Sequence, residues 1–289
     1  MAGNVSKVKT RIVATKKTAQ ITKAMNMISA SKLKNAENAI KQYLPFIEKT
    51  RDIVVHLASN DSSITHPLMD KREIKNICYL VISSDRGLAG GFNSNVCKEL
   101  TRQINTRDKN VGYCVLPMGL KAYNYTKKQK YPLLVEKVIN VKDDIEFTVI
   151  MDVIKNLVMN YMMQKIDKVV VIYNHFKNTL VQEIKTESVL PVEPIITDNA
   201  NLSNYEFDGE VNQILNTALP IYIENTIYSY VLDSKASEHA ARMNSMKSAT
   251  DNAEEVIASL ELLYNRARQA AITLEITDIV GGASVVNNS

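Results

Sequence analysis

The stretch that decides the fold is MNSMKSATDNAEEVIASLELLYNRARQAAITL, residues 243–274. It lies inside a run of 60 residues between Pro220 and Gly281 that holds neither glycine nor proline. Alternating steps of three and four pick out Met243, Met246, Thr250, Ala253, Ile257, Leu260, Tyr264, Ala267, Ala271 and Leu274. Nine of those ten are apolar, which is the heptad signature of helices that wind around each other. At 1.5 Å per residue the uninterrupted run would span roughly 90 Å, longer than an ordinary bundle helix.

A second such run opens the chain. Gly3 and Pro45 bracket 41 residues with neither breaker, worth roughly 60 Å of helix. The same steps give Val5, Val8, Ile12, Thr15, Ala19 and Thr22. The stripe then shifts by one through Ile21, Met25 and Ile28, and resumes at Leu33, Ala36, Ile40, Tyr43 and Ile47. Lys7, Lys9, Arg11, Lys16 and Lys17 make the start of this helix basic. Asp251, Glu254, Glu255 and Glu261 make the facing stretch of the other acidic, with no base from Ser248 to Asn265. Antiparallel pairing sets these blocks opposite each other. Exposed pairs contribute only up to about 1 kcal/mol each, so the pattern fixes register more than stability. The seams then pair Val5 with Tyr264, Val8 with Leu260, Ile12 with Ile257, Thr15 with Ala253, Ala19 with Thr250 and Met25 with Met243.

The basic, acid-free residues 1–34 have the composition of a transit peptide. The helical period runs on past residue 40 without a break, so a solvated or partner-facing helix is the reading adopted.

The centre has another rhythm. IKNICYLVIS, VGYCVLPM, LLVEKVIN, DKVVVIYN and VQEIKTESVL read as strands, the last two as a hairpin. NSNVCKELTRQI, LKAYNYTKK and FTVIMDVIKNLVMNYMMQKI read as helices between the earlier ones. Such alternation argues a mainly parallel sheet covered by helices. The expected fold is a long antiparallel coiled coil of the N- and C-terminal helices with an inserted Rossmann-like α/β domain. The expected boundaries are an N-terminal helix over 1–57, a connector over 58–73, the α/β domain over 74–192, a connector over 193–209 and a C-terminal helix over 210–289.

SSDRGLAGGFNSN, residues 83–95, raises the question of phosphate binding, because strand, glycine loop and helix are how such sites are built. The spacing Gly87-x-x-Gly90-Gly91 is neither a dinucleotide fingerprint nor a P-loop. Asp85 would set a carboxylate against a bound phosphate, with only Arg86 nearby to offset it. No acid follows the second strand, where a dinucleotide fold needs one to bind ribose. The glycines therefore serve a tight turn and close helix packing.

The remaining chemistry is sparse. His56, His66, His175 and His239 stand isolated in the sequence, without metal-ligand spacing. Asp143 and Asp144 read as a cap for the following helix. Cys78, Cys97 and Cys114 have no CxxC spacing, and read as thiols kept reduced. No stretch approaches 18 consecutive apolar residues, so no helical membrane span is expected. A net charge of +4 is too small to argue for nucleic acid. No catalytic residue, cofactor site or metal site is expected.

ITKAMNMISASKLKNAE (21–37), SSDRGLAGGFNSN (83–95), ASEHAARMNSMKSATDN (236–252) and LYNRARQAAITLEITDIVGGAS (263–284) strongly resemble the gamma subunit family of the F-type ATP synthase. The four motifs occur in order along the whole chain. The resemblance implies a central rotor shaft that couples proton flow through a membrane ring to ATP synthesis or hydrolysis, with nucleotides bound on other chains. It implies one copy per complex among three alpha and three beta subunits, an epsilon subunit and the membrane c-ring, with no nucleic acid and no direct membrane span. Arg268, Gln269 and Thr273 in RARQAAIT match the family's contacts to a catalytic beta subunit. Met25 in KAMNM matches a methionine on the rotor seam, with Arg242 and Met243 on the facing helix. Tyr205, Phe207 and Asp208 in YEFDG fall where the family docks on the membrane ring. The regulatory cysteine pair of cyanobacterial and chloroplast versions is absent from this sequence, so thiol control is not expected. Helical signal from the start of the chain points to a peripheral protein on the cytoplasmic face of a bacterial membrane, the matrix face of the mitochondrial inner membrane being the alternative.

Two readings of other classes compete with this one. A nucleotide-using α/β enzyme would bind nucleotide stoichiometrically as the isolated chain. A coiled-coil adaptor with a basic nucleic-acid-binding arm would bind DNA through residues 1–57 with steep salt dependence.

Overall fold

The computed structural model describes residues 2–60, 66–143, 147–193 and 211–287. In chain order the elements are α1 (Ala2–Asn60), β1 (Asn76–Ile82), α2 (Phe92–Thr106), β2 (Gly112–Met118), α3 (Leu120–Lys128), α4 (Phe147–Met162), β3 (Lys168–Phe176), β4 (Gln182–Leu190) and α5 (Val211–Asn287). The chain divides into two compact units, residues 1–28 with 243–289, and residues 29–242.

The first unit is a helix pair. Val8, Ile12 and Leu260 are buried together, with Tyr264 packed against them. The hydroxyls of Thr22 and Thr250 lie 2.7 Å apart. Asn26 Nδ2 donates to the Met243 carbonyl at 2.8 Å. Numbers that rise along α1 meet numbers that fall along α5, so the pair is antiparallel. On α5 the positions Met246, Thr250, Ala253 and Leu260 are buried, as the three-and-four spacing requires. Lys16 and Glu261 form an ion pair at 2.7 Å with both side chains about half exposed; the basic and acidic blocks meet there.

Two details differ from the sequence reading. The stripe of α1 does not shift at Ile21 and Ile28, which are 62% and 55% exposed. The regular spacing continues through the half-buried Thr22 and Asn26 to the buried Ser29 and Leu33. The seam is polar there because its hydroxyl and amide groups find partners, Thr250 for Thr22 and the Met243 carbonyl for Asn26. The partner of Thr250 is thus Thr22, three residues along from the expected Ala19. Leu260 packs with Ile12 as well as Val8. Side chains on the two seams interleave, each fitting between residues of the other helix, so strict one-to-one pairing does not hold.

The second unit is a three-layer α/β structure. The sheet order is β2-β1-β3-β4. Strands β2, β1 and β3 run parallel, and β4 returns antiparallel to β3 as the hairpin predicted from the sequence. Alternation of period two sorts the side chains to the two faces. Tyr79 and Val81 meet Val96 and Leu100 of α2 and Ala122 of α3. Cys78, Leu80 and Ile82 join the larger core with Leu57 of α1, Ile154 and Leu157 of α4, and Leu219, Ile223 and Ile227 of α5. The parallel strands are therefore covered on both sides, and their sequences are nearly continuous apolar runs for that reason.

Residues 133–140 do not form the expected strand. They touch the outer edge of β2 at two isolated parallel bridges, Val115 with Leu133 and Met118 with Ile139. Pro132 precedes the segment and the charged Glu136-Lys137 lies between the bridges, so the ladder does not close in the middle. Helix α4 stops at Met162 rather than running to Ile166. Gln164 adopts a positive φ of 57° and turns its N–H back to the Tyr161 carbonyl at 3.0 Å, while Arg72 reaches across to donate to the Tyr161 and Ile166 carbonyls. Prolines do not end the long helices: α1 contains Pro45 and α5 contains Pro220.

Candidate functional site

The glycine loop, residues 83–91, uses its own polar groups. Asp85 Oδ1 accepts the Leu120 N–H at 2.9 Å, and Ser83 Oγ accepts the Ala122 N–H at 2.8 Å. Both donors belong to the first turn of α3, where an anion would otherwise be bound. Asn93 holds the loop through Ser84, accepting the Ser84 N–H at 3.0 Å and donating to Ser84 Oγ at 2.8 Å. Gly90 takes φ 54°, with open space where a side chain would be. The Asp85 carboxylate is therefore bonded to the first turn of α3, and the loop ties β1 to that helix.

What the loop contacts instead is α5. Arg242 directs Nε and Nη2 at the Gly87 carbonyl, each at 3.4 Å. Its Nη2 also donates to Glu238 Oε1 at 2.7 Å. Glu238 takes a second cation, Lys235, at 2.9 Å. Lys235 and His239 reach Asp143 at 3.5 and 3.3 Å, and Lys32 of α1 pairs with the other Asp143 oxygen. Arg242 Nη1 faces His239 Nδ1 at 3.5 Å. A guanidinium only donates, which assigns the imidazole proton to Nε2, the nitrogen that faces Asp143.

The α5 side of this cluster is buried to an unusual degree for its composition, while Lys32 and Asp143 remain partly exposed. Residues 234–240 of α5, the sequence SKASEHA, are buried without exception. Seven residues are almost two turns, so every face of the helix is enclosed. Asp143, on the segment leading to α4, is the most electrostatically perturbed group in it. Its hydrogen bond with His239 lowers its pKa most, followed by the Lys32 hydrogen bond and the Lys235 charge, against the opposing effect of burial. The carboxyl is held far below the usual carboxylate range. The end of β3 completes the enclosure. Ser237 Oγ donates to the Asn174 carbonyl at 2.9 Å. Asp233 pairs with His175 at 2.6 Å and accepts the Phe176 N–H at 2.8 Å.

The residues singled out from the sequence separate into three places. Met25 and Met243 are half-buried in the helix pair, but Arg242 belongs to the ionic cluster of the second unit. Arg268, Gln269 and Thr273 are exposed on α5, off the seam of Ala267 and Ala271, and Thr273 Oγ1 donates to the Gln269 carbonyl at 3.0 Å. Tyr205, Phe207 and Asp208 lie outside the described residues. Sequence reasoning missed Lys32, Asp143, Lys235, Glu238 and His239. The contacts described for Asp143 are ionic ones, where the sequence suggested a helix cap. The signal was SKASEHA, where the stripe thins to Ala236 and Ala240, and Lys235, Glu238 and His239 crowd within five residues. Among the described residues no three His, Cys, Asp or Glu side chains gather to hold a metal, and no helix is long and apolar enough to cross a membrane.

An antiparallel helix pair in one unit, and in the other a mixed four-stranded Rossmann-like sheet reached from long N- and C-terminal helices, define the class of fold. The family model described as ATP synthase matches residues 4–286, and the chain belongs to that family, the gamma subunits of the F-type enzyme. Among solved structures, the chain is similar to one from the central stalk and c-ring of the mitochondrial ATP synthase of Tetrahymena thermophila. The identity is 27%, covering 79% of this chain and 99% of that one, with a TM-score of 0.60. The fold is shared with a rotor chain of the Euglena gracilis mitochondrial ATP synthase at 17% identity, covering 94% of this chain and 100% of that one, TM-score 0.68. A second Euglena gracilis structure, of OSCP, F1 and c-ring, matches at 17% identity over 99% and 95%, TM-score 0.69.

Proposed function

We infer that this chain is the central rotor shaft of an F-type ATP synthase, coupling proton translocation through the membrane ring to ATP synthesis or hydrolysis on the alpha–beta ring. The observation that carries this reading is the family match from residue 4 to residue 286, which takes in both long helices and the domain between them. The glycine loop supports a non-catalytic role, since Asp85 and Ser83 already engage the first-turn donors of α3.

In this reading α5 acts on the catalytic subunits by shape. From Leu262 to Val280 it exposes Leu262, Leu263, Ile272, Leu274, Ile276, Ile279 and Val280. An apolar surface makes few directional bonds, and turning it inside a sleeve breaks few. Arg268, Gln269 and Thr273 supply polar contacts to one beta subunit at a time. Rotation biases the affinities of the three sites in turn, which is coupling by differential binding. Tyr205, Phe207 and Asp208 dock on the membrane ring, and an epsilon subunit is a further partner. The chain works as one copy, peripheral to its membrane, on the cytoplasmic face in a bacterium. The matrix face is the second reading, favoured by the mitochondrial origin of the solved relatives.

Co-purification tests the assignment. The chain should leave cells with alpha, beta and epsilon partners and show no ATPase activity alone. Isolation as a lone protein, or nucleotide hydrolysis by the pure chain, would overturn it.

A further inference from the structure

We propose that Asp143 is a positioning residue for rotary coupling, a point at which one side chain ties both long helices to the α/β domain. The proposal rests on the rotor reading and assigns a role to a residue outside the seam, the beta contacts and the ring contacts.

The argument is geometric. One carboxylate receives Lys32 from α1 on one oxygen, and Lys235 and His239 from α5 on the other. Among the described residues it is the acid that pairs with cations of both long helices. Its backbone is fixed to the sheet: two residues earlier Val141 is buried in the main core, and Ile139 bridges to Met118 of β2. A force on the domain therefore reaches α1 and α5 through this one shared side chain as well as through the common core.

The rest of the cluster braces that contact. Lys235 and Arg242 converge on Glu238, and Arg242 extends the network to the Gly87 carbonyl. The cations that remain without Asp143 are Lys32, Lys235 and Arg242, against Glu238 alone. Removing the Asp143 charge therefore leaves like charges on α1 and α5 with no acid between them. The helices are then free to give under load although apolar packing still holds the fold. Compliance at this point loses work: hydrolysis continues and pumping falls behind.

The test uses the complete ATP synthase with Asp143→Asn, Asp143→Glu or Lys32→Met in this chain, in inverted membrane vesicles. Assembly is read from the alpha, beta and gamma content of the membranes. The measured quantity is proton pumping per ATP hydrolysed, which a merely structural role would leave unchanged in complexes that assemble. Asp143→Asn should assemble and lower this ratio about threefold or more. Asp143→Glu should restore at least half of it, and Lys32→Met, which removes one half-exposed partner, should give an intermediate loss. An unchanged ratio in Asp143→Asn, or in Lys32→Met where Asp143→Asn fails to assemble, would overturn the proposal. Failure of the unaltered chain to assemble with alpha and beta would instead sink the rotor reading itself.

Discussion

Thr22 on α1 and Thr250 on α5 share a hydrogen bond of 2.7 Å between their hydroxyls, and this contact sets the level at which the two helices of the first unit meet. Cysteines placed at 22 and 250, in a background lacking Cys78, Cys97 and Cys114, should form a disulfide readily, since bonding needs Cα atoms within about 7 Å. A pair at Thr15 and Thr250 lies two turns off the level and should oxidise slowly. Faster bonding of the second pair, read by peptide mapping without reductant, would show the antiparallel level to be wrong.

Asp143→Asn should lower stability by about 1 kcal/mol at pH 7, since Asp143 is partly exposed and solvent screens its pairs. The sign follows from the depressed pKa of the folded state. The stabilisation is fully present above the unfolded carboxyl value of about 3.9 and is lost as pH falls from there toward the folded value. Urea midpoints of the two proteins should therefore differ most at neutral pH and converge below about pH 4. A gap that stays constant from pH 7 to pH 3 would remove the charge from the explanation.

Two glycines should behave oppositely on substitution. At Gly119 a Cβ would stand 2.3 Å from the Ser83 carbonyl oxygen, at φ 93°, so Gly119→Ala should cost about 3 kcal/mol or more. At Gly90 the space is open and only the left-handed φ opposes a side chain, so Gly90→Ala should cost about 1 kcal/mol. Equal thermal shifts for the two variants would mean that the turn is shaped by something other than these contacts.

Arg268→Ala together with Gln269→Ala should leave the helix pair folded, because both residues are exposed and off the seam. Helicity and melting temperature should match the parent. In the assembled enzyme, hydrolysis and pumping should fall together. Unchanged turnover at normal assembly would take these residues out of the beta contact.

Val8, Ile12, Leu260 and Tyr264 were legible in the sequence because burial on a helix leaves a spacing, and the spacing survives without coordinates. Thr22 was on the stripe too, but Asn26 and Ser29 were not, since a seam read from apolar residues jumps to Ile21 and Ile28, which face solvent. The glycine loop was half legible. The strand and the turn through Gly90 were plain, but nothing local announced that Gly87 would meet Arg242, 155 residues away. Lys32 and Asp143 are 111 residues apart, and an ion pair imposes no period on either segment. The reading of 133–140 as a strand failed because propensity does not show that the ladder to β2 closes at Leu133 and Ile139 but not across the charged Glu136-Lys137 between them.

The enclosed stretch Ser234–Ala240 also dictates an order of events during synthesis. Its surroundings, Lys32, Gly87, Asp143 and Asn174, all leave the ribosome before it does. A free helix of SKASEHA would keep its charges in water and gain nothing by leaving it; only a finished cradle offers Lys235, Glu238 and His239 their counterparts. This part of α5 is therefore templated by the domain that precedes it. Its amides should exchange with solvent only when that whole domain opens. A shaft assembled this way is fastened as it is made, its last helix taking its place in a bearing already built.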